Sequence, residues 1–523
     1  MSFVDVLLRG AGMSGQALAL GGVAFVLVVL RNGVADEDRQ FLAPRALWLT
    51  ALGAGILAAA QLMSVALELG ALTRDGQWPV GAALDTLYFR ASLVRLVACA
   101  GLMAAAAAVA RRLRGSMGWA LGTPAAIIAA MAALMSHAVA QVHGRWPLVV
   151  LTALHQIAAV VWVGGLMHLL VAAFKGERPC SVPVLHHFSR LALACVIAIA
   201  ASGVGLAAAY IGSPAALIGT AYGFMVATKV VMLAGLLALA APNRREVRRL
   251  ADGQAGVGTR LRQFLEVEIG LGVTVLFVAS SLTSTPPARD VLADRATVAE
   301  VATIFTPQWP RLASPTHAEL AITGALADRS AARTAQDTAW SEYNHHIAGL
   351  VVLILAGLSL VSQTARGGWA RHWPLLLLGL AAFLFVRDDP EAWPLGAIGF
   401  WESMRDVEVV QHRVFVLVLV LFGLFEWMVR THRLRSPRWA YVFPMICAVG
   451  GALLLTHSHA VSNLKSQFLM EITHTPLALL GLVAGWARWL ELRLPDRGHG
   501  VPERVWAIAL VLVGVLLLMY REG

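Results

Sequence analysis

An all-α, polytopic transmembrane helical bundle is the fold class this sequence predicts, and three observations carry the prediction. Of the 523 residues, 58% are hydrophobic and only 14% charged, with a mean hydropathy of +0.70. A soluble chain of this length needs far more polar surface to cover its core. The apolar residues gather into about fourteen runs near the roughly 20 residues that cross a 30 Å hydrocarbon core. The loops between those runs alternate between basic and neutral or acidic, as the positive-inside rule describes.

Taken in order, the expected spans lie near 14–30, 46–69, 87–110, 119–140, 150–173, 188–211, 219–241, 264–282, 346–363, 373–386, 411–429, 440–457, 471–490 and 505–520. The tenth is the shortest. The first run lacks a basic leader and a small-residue cleavage site, so it reads as a retained helix. Basic residues follow every odd span, for example Arg111 and Arg112 after the third and Arg244, Arg245, Arg248 and Arg249 after the seventh. The most acidic loop, with Asp388, Asp389, Glu391, Glu402, Asp406 and Glu408, follows an even one. Both termini are therefore expected outside, in a bacterial inner membrane facing the periplasm.

One long connection interrupts the series. Three parts are expected: an eight-span membrane domain at 1–283, an outer linker at 284–344 and a six-span membrane domain at 345–523. A short amphipathic helix is expected in the linker around Thr316–Leu326. The formal net charge of +10 resides in loop clusters, without a basic stripe interleaved with aromatics, so nucleic acid is excluded as a partner and the lipid bilayer takes its place. Four scattered cysteines, Cys99, Cys180, Cys195 and Cys447, form no C-x-x-C pair and suit neither a disulfide framework nor a thiolate metal site. Neither a phosphate-binding loop nor the phosphorylated-aspartate motif of an ATPase is present, so any transport runs downhill or on another gradient.

The chemistry is expected at histidines. With the loops assigned to sides, His345, His346, His412, His457, His459 and His474 fall at outer helix ends of the second half, and His137 and His155 at outer ends of the first, with His143 between them. Imidazole suits copper, zinc, iron and nickel, and helix ends at one depth can aim several rings into one pocket. His345 and His346 are separated by about 100° of helix rotation, so one of them is expected to point inward. The plainer alternative is histidines tolerated in headgroup water. His168, His186, His187, His372, His432 and His499 fall on the basic side and are expected to be solvated. Within the spans, Lys229 and Glu268 are expected to form an ion pair, structural or proton-coupling. Arg90 and Arg95 are expected to snorkel or to pair with Glu68 or Asp85. Ser136-His137-Ala138-Val139 and Ser458-His459-Ala460-Val461 form a weak internal echo at matching topological positions, each followed by a helix that opens with a histidine.

Several patches together resemble the CopD copper-resistance family of inner-membrane proteins. They are Leu154-His155-Gln156, Val161-Trp162-Val163-Gly164-Gly165, Phe188-Ser189-Arg190-Leu191-Ala192, Thr220-Ala221-Tyr222-Gly223 with Lys229, Asn243-Arg244-Arg245, and Glu268 with Leu282-Thr283-Ser284-Thr285-Pro286-Pro287. They cover about 150–290. The second half looks similar to the extension of longer family members, with Thr456–Ala460 and Ile472–Pro476. The resemblance implies copper movement across or uptake through the membrane, often with a periplasmic CopC-type copper donor. His137 and His155 would then be the first-half copper ligands, with Trp162 on the same helix face as His155, although Trp162 and its glycines suit close helix packing better. Two readings stand beside copper transport: a membrane redox protein carrying haem b on paired imidazoles, and an assembly factor delivering copper to an oxidase.

Overall fold

The computed structural model describes residues 3–522 apart from 31–32, 74–78, 113–117, 142–143, 174–180, 253–256, 323–333, 457–463 and 495–499. His143, His457, His459, His499 and Cys180 lie outside the described residues. The chain is a polytopic helical bundle. Its membrane helices are α1 Phe3–Ala24, α2 Asp36–Thr73, α3 Leu87–Arg112, α4 Gly118–Leu134, α5 Arg145–His168, α6 Val182–Tyr210, α7 Ala221–Ala251, α8 Val257–Leu282, α9 Ala335–Ser362, α10 Leu376–Arg387, α11 Val407–Arg430, α12 Val442–Leu454, α13 His474–Arg493 and α14 Val501–Leu518. Thirteen segments among the described residues are long and apolar enough to span a membrane, and α4 is a shorter apolar helix. The short tenth run reaches 20 residues because a 3-10 segment, Gly368–Leu375, precedes α10.

Two compact units divide the chain, Met1–Ala293 and Asp294–Gly523. In the first, α1 is central and packs on α2, α5 and α8, while α2 holds α3, α5 holds α6, and α7 pairs with α8. Large apolar side chains such as Ile197, Val204, Val230 and Val231 point outward from α6 and α7. In water such a surface would aggregate, whereas against lipid chains it costs nothing. In the second unit α9 packs on α14, α14 on α13, α13 on α12, and α10 on α11. Trp373, Phe443 and Trp506 fill its centre.

Close backbone approach explains why α1 can sit at the middle of its unit. A Cβ on Gly164 would lie 1.8 Å from the Ala17 carbonyl oxygen, and one on Gly21 would lie 2.6 Å from Gly164. Small residues at these positions let α1 and α5 touch through their backbones, the usual way helices associate in lipid. Trp162, beside that contact, is buried in the core of the unit.

The connection is ordered into short helices where described. Val298–Ile304 is held by a capping box in which Thr297 and Glu300 satisfy each other's backbone N–H groups. Lys465 pairs with Glu300 at 2.6 Å, and this cation with the Thr297 amide holds the exposed carboxyl at about 2, well below the usual range. Within the stretch Thr316–Leu326, where an amphipathic helix is expected, His317–Ile322 is helical, with Glu319 accepting from the Thr316 N–H at 2.6 Å, and 323–326 lie outside the described residues.

Candidate metal centre

His345 and His474 come together in the second unit. His345 lies on α9, and His474 is the first residue of α13. Their ring centroids are 6.4 Å apart and the rings are nearly perpendicular. Each Nδ1 faces the carbonyl oxygen four residues earlier, Ser341 at 2.9 Å for His345 and Met470 at 3.1 Å for His474. A carbonyl can only accept, so Nδ1 carries a proton in both rings. This backbone tether on the far nitrogen is what orients imidazole ligands in metal sites. Two imidazoles sharing one ion through bonds of about 2.0 Å place their ring centroids at about this separation when the ion lies nearly on the line between them.

The walls of the pair are built by Tyr520 and Glu522. The Tyr520 ring stacks on His345 at 3.8 Å between centroids. Its hydroxyl donates to Glu522 at 2.9 Å, and Ser341 Oγ donates to the same carboxylate oxygen. Glu522 thus brings a negative charge close to His345 through Ser341, which favours a cation there.

His346 does something else. It is fully buried, its Nδ1 accepts from the Arg311 backbone N–H at 2.7 Å, and its Nε2 donates to the Tyr520 carbonyl at 2.8 Å. With both nitrogens engaged, it clamps the connection and residue 520 onto α9 and is not placed as a ligand. Of the two adjacent histidines, His345 is the one that faces the pair.

His412 stands with a different partner. Its Nδ1 is 2.8 Å from Asp389 Oδ1, and Asp389 is buried with Arg413 Nη2 at 3.9 Å from its other oxygen. Burial pushes the neighbouring Asp388 carboxyl up to about 6. The folded protein then holds that proton more tightly than the unfolded chain does. Asp388 therefore adds stability below about pH 4, and the contribution fades as pH rises through 6. Asp388→Asn should flatten this dependence, worth about 2 kcal/mol at most, in thermal melts compared between pH 4.5 and 7.

In the first unit His155 Nδ1 donates to Ser202 Oγ on α6 at 3.1 Å, and Ser202 donates to the Ala198 carbonyl. His137 opens the short helix His137–Ala140, with its Nε2 buried and without a hydrogen-bond partner. Among the described residues no group of three or more His, Cys, Asp or Glu side chains is placed to hold one metal ion. Of the expected second-half set, His345 and His474 are brought together, and His457 and His459 lie outside the described residues.

Three expectations are corrected. Lys229 and Glu268 do not pair: Glu268 accepts from Asn243 Nδ2 at 2.6 Å, because Asn243, one helical stretch further along α7, reaches the depth of Glu268 on α8. Arg90 does pair with Asp85 at 2.9 Å, but Arg95 turns inward, where Gln61 Oε1 accepts at 2.8 Å and Gln16 Oε1 also accepts. His168, expected in solvent, is fully buried, its Nδ1 donating to the Gly164 carbonyl at 2.8 Å. Gly22 makes room for it, since a Cβ there would lie 2.5 Å from His168 Nε2 and 2.0 Å from Thr50 Oγ1. The glycine pairs at 21–22 and 164–165 were the signal in the sequence; the side assignment alone says nothing about burial.

Comparison with known proteins bears on the helices α6 to α8. Residues 182–282 match the family model of CopD, copper resistance protein D. No curated protein and no solved structure matches the chain. The CopD match spans about a fifth of the sequence, narrower than the patches at 150–290, and contains Phe188, Lys229, Asn243 and Glu268. Over those helices the chain is similar to a copper-resistance family of proteins. The His345–His474 pair lies outside the matched residues.

Proposed function

We propose that this protein binds copper at the outer side of a bacterial inner membrane through His345 and His474 and moves it across the membrane. The observation that carries the reading is the shared tether of the two rings. Both direct Nδ1–H to a backbone carbonyl, which makes Nε2 the nitrogen each ring would turn to copper, in a chain whose α6–α8 segment matches a copper-resistance family. Copper here is cargo, and a periplasmic CopC-type protein is a suitable source for it. His137, His155 and His412, with His457 and His459, are candidate further ligands along the outer side.

Full-length protein purified in detergent and loaded with copper should retain about one equivalent by mass spectrometry, and proteoliposomes containing it should accumulate radioactive copper faster than empty ones. Glu522→Gln should weaken copper binding by roughly tenfold or more, the effect of losing a group that supports a ligand from behind, while leaving the thermal melt in place. Haem b is the second reading, because two imidazoles at this spacing also suit axial ligation of iron. A Soret band with stoichiometric iron in the purified protein would replace copper by haem at the pair.

A further inference from the structure

The basic end of the α7–α8 hairpin is a folded surface that the copper reading does not use. At 100° per residue, Arg244, Arg245, Arg248 and Arg249 fall within an arc of about 140° on α7, and all four are exposed. Glu246, Val247 and Leu250 lie on the opposite arc, where Val247 and Leu250 pack with Leu261 and Leu265 of α8. The stripe is thus held in place by a buried seam. Only Arg249 has a carboxylate beside it, Glu246 at 2.9 Å; among the described residues no carboxylate pairs with Arg244, Arg245 or Arg248. Helix α7 is capped at its other end by Thr220, and at 1.5 Å per residue Arg244 lies roughly 36 Å along the axis. A hydrocarbon core of about 30 Å ends short of that point, so the stripe stands at the level of the headgroup phosphates.

We infer that Arg244, Arg245 and Arg248 form a binding surface for the phosphates of anionic phospholipids in the leaflet on that side. A guanidinium presents a fork of N–H donors that suits phosphate oxygens, and three of them along less than two helical turns face several headgroups at once. Because α7 carries Lys229 and Asn243 as well, such lipids would anchor the helix that runs through the CopD-matching segment.

The test uses the full chain in detergent, mixed with phosphatidylglycerol or phosphatidylcholine, with retained lipids counted by native mass spectrometry. Each basic residue near an anionic surface contributes about fivefold in affinity, so R244Q/R245Q/R248Q should lower phosphatidylglycerol retention on the order of 100-fold and leave phosphatidylcholine unchanged. The comparison variant R433Q/R435Q/R438Q removes three exposed arginines from another loop and should change retention far less. Equal loss in both variants would overturn a localised surface in favour of net charge alone. Unchanged phosphatidylglycerol retention in R244Q/R245Q/R248Q would overturn the proposal outright. Displacement of the lipid by inorganic phosphate at equal concentration would overturn the membrane source and make the stripe a site for soluble phosphate.

Discussion

Replacing His345 and His474 together by alanine should lower copper affinity by more than about 100-fold, because loss of a mere supporting partner already costs 10–100-fold. The effect should exceed that of either single substitution only modestly, since one imidazole left alone cannot hold the ion between two rings. The fold should survive. Both rings are only half-buried, and the tethers they lose are side chain to backbone bonds to a residue four positions earlier, Ser341 within α9 and Met470 just before α13. His346→Ala should behave in the opposite way. It removes a fully buried ring whose two nitrogens hold Arg311 and residue 520, so it should destabilise the second unit, leaving a buried N–H and a carbonyl unmatched. Equilibrium copper competition together with thermal melts separates the two outcomes. Copper affinity unchanged in the double variant would place the site elsewhere.

Gly164→Val should be the most damaging single substitution in the first unit. Its Cβ would lie 1.8 Å from the Ala17 oxygen and 2.5 Å from the Ala17 carbonyl carbon, and no rotamer change relieves a clash with backbone. Helices α1 and α5 must separate, and α1 also holds α2 and α8, so the cost should reach about 3 kcal/mol or more. In a melt followed by tryptophan fluorescence this is roughly a 6–12 °C fall for a unit of this size. Gly70, whose Cβ would meet nothing within 4 Å, is the natural control: Gly70→Ala should leave the transition where it is. A Gly164→Val protein melting with the unaltered one would remove the α1–α5 contact from the account.

Much of the architecture was legible because lipid imposes one rule on every span: about 20 apolar residues with internal backbone bonds. That rule placed each apolar helix, including α4. It set the ends poorly where helices leave the hydrocarbon, as α2 does by starting at Asp36 and running to Thr73. The candidate site was legible only in part. Sorting histidines by loop charge brought His345 and His474 to the same end of the bundle, but it could not say which of 345 and 346 faces the partner. That choice depends on Arg311 and Tyr520, residues far away in sequence that close over His346. The same limit hid the partner of Glu268. A lysine on a neighbouring helix was the obvious countercharge, and depth along α7 selected Asn243 instead. His168 was misplaced for a related reason, since being near a basic loop does not prevent a ring from turning into a cleft that glycines leave open.

X-ray absorption at the copper edge of the copper-loaded, full-length protein tests the central claim most directly. The expected result is nitrogen neighbours at about 2.0 Å with the outer-shell pattern of two imidazole rings, lost in the variant lacking His345 and His474. A first shell dominated by sulfur, or an imidazole pattern that persists in that variant, would contradict it.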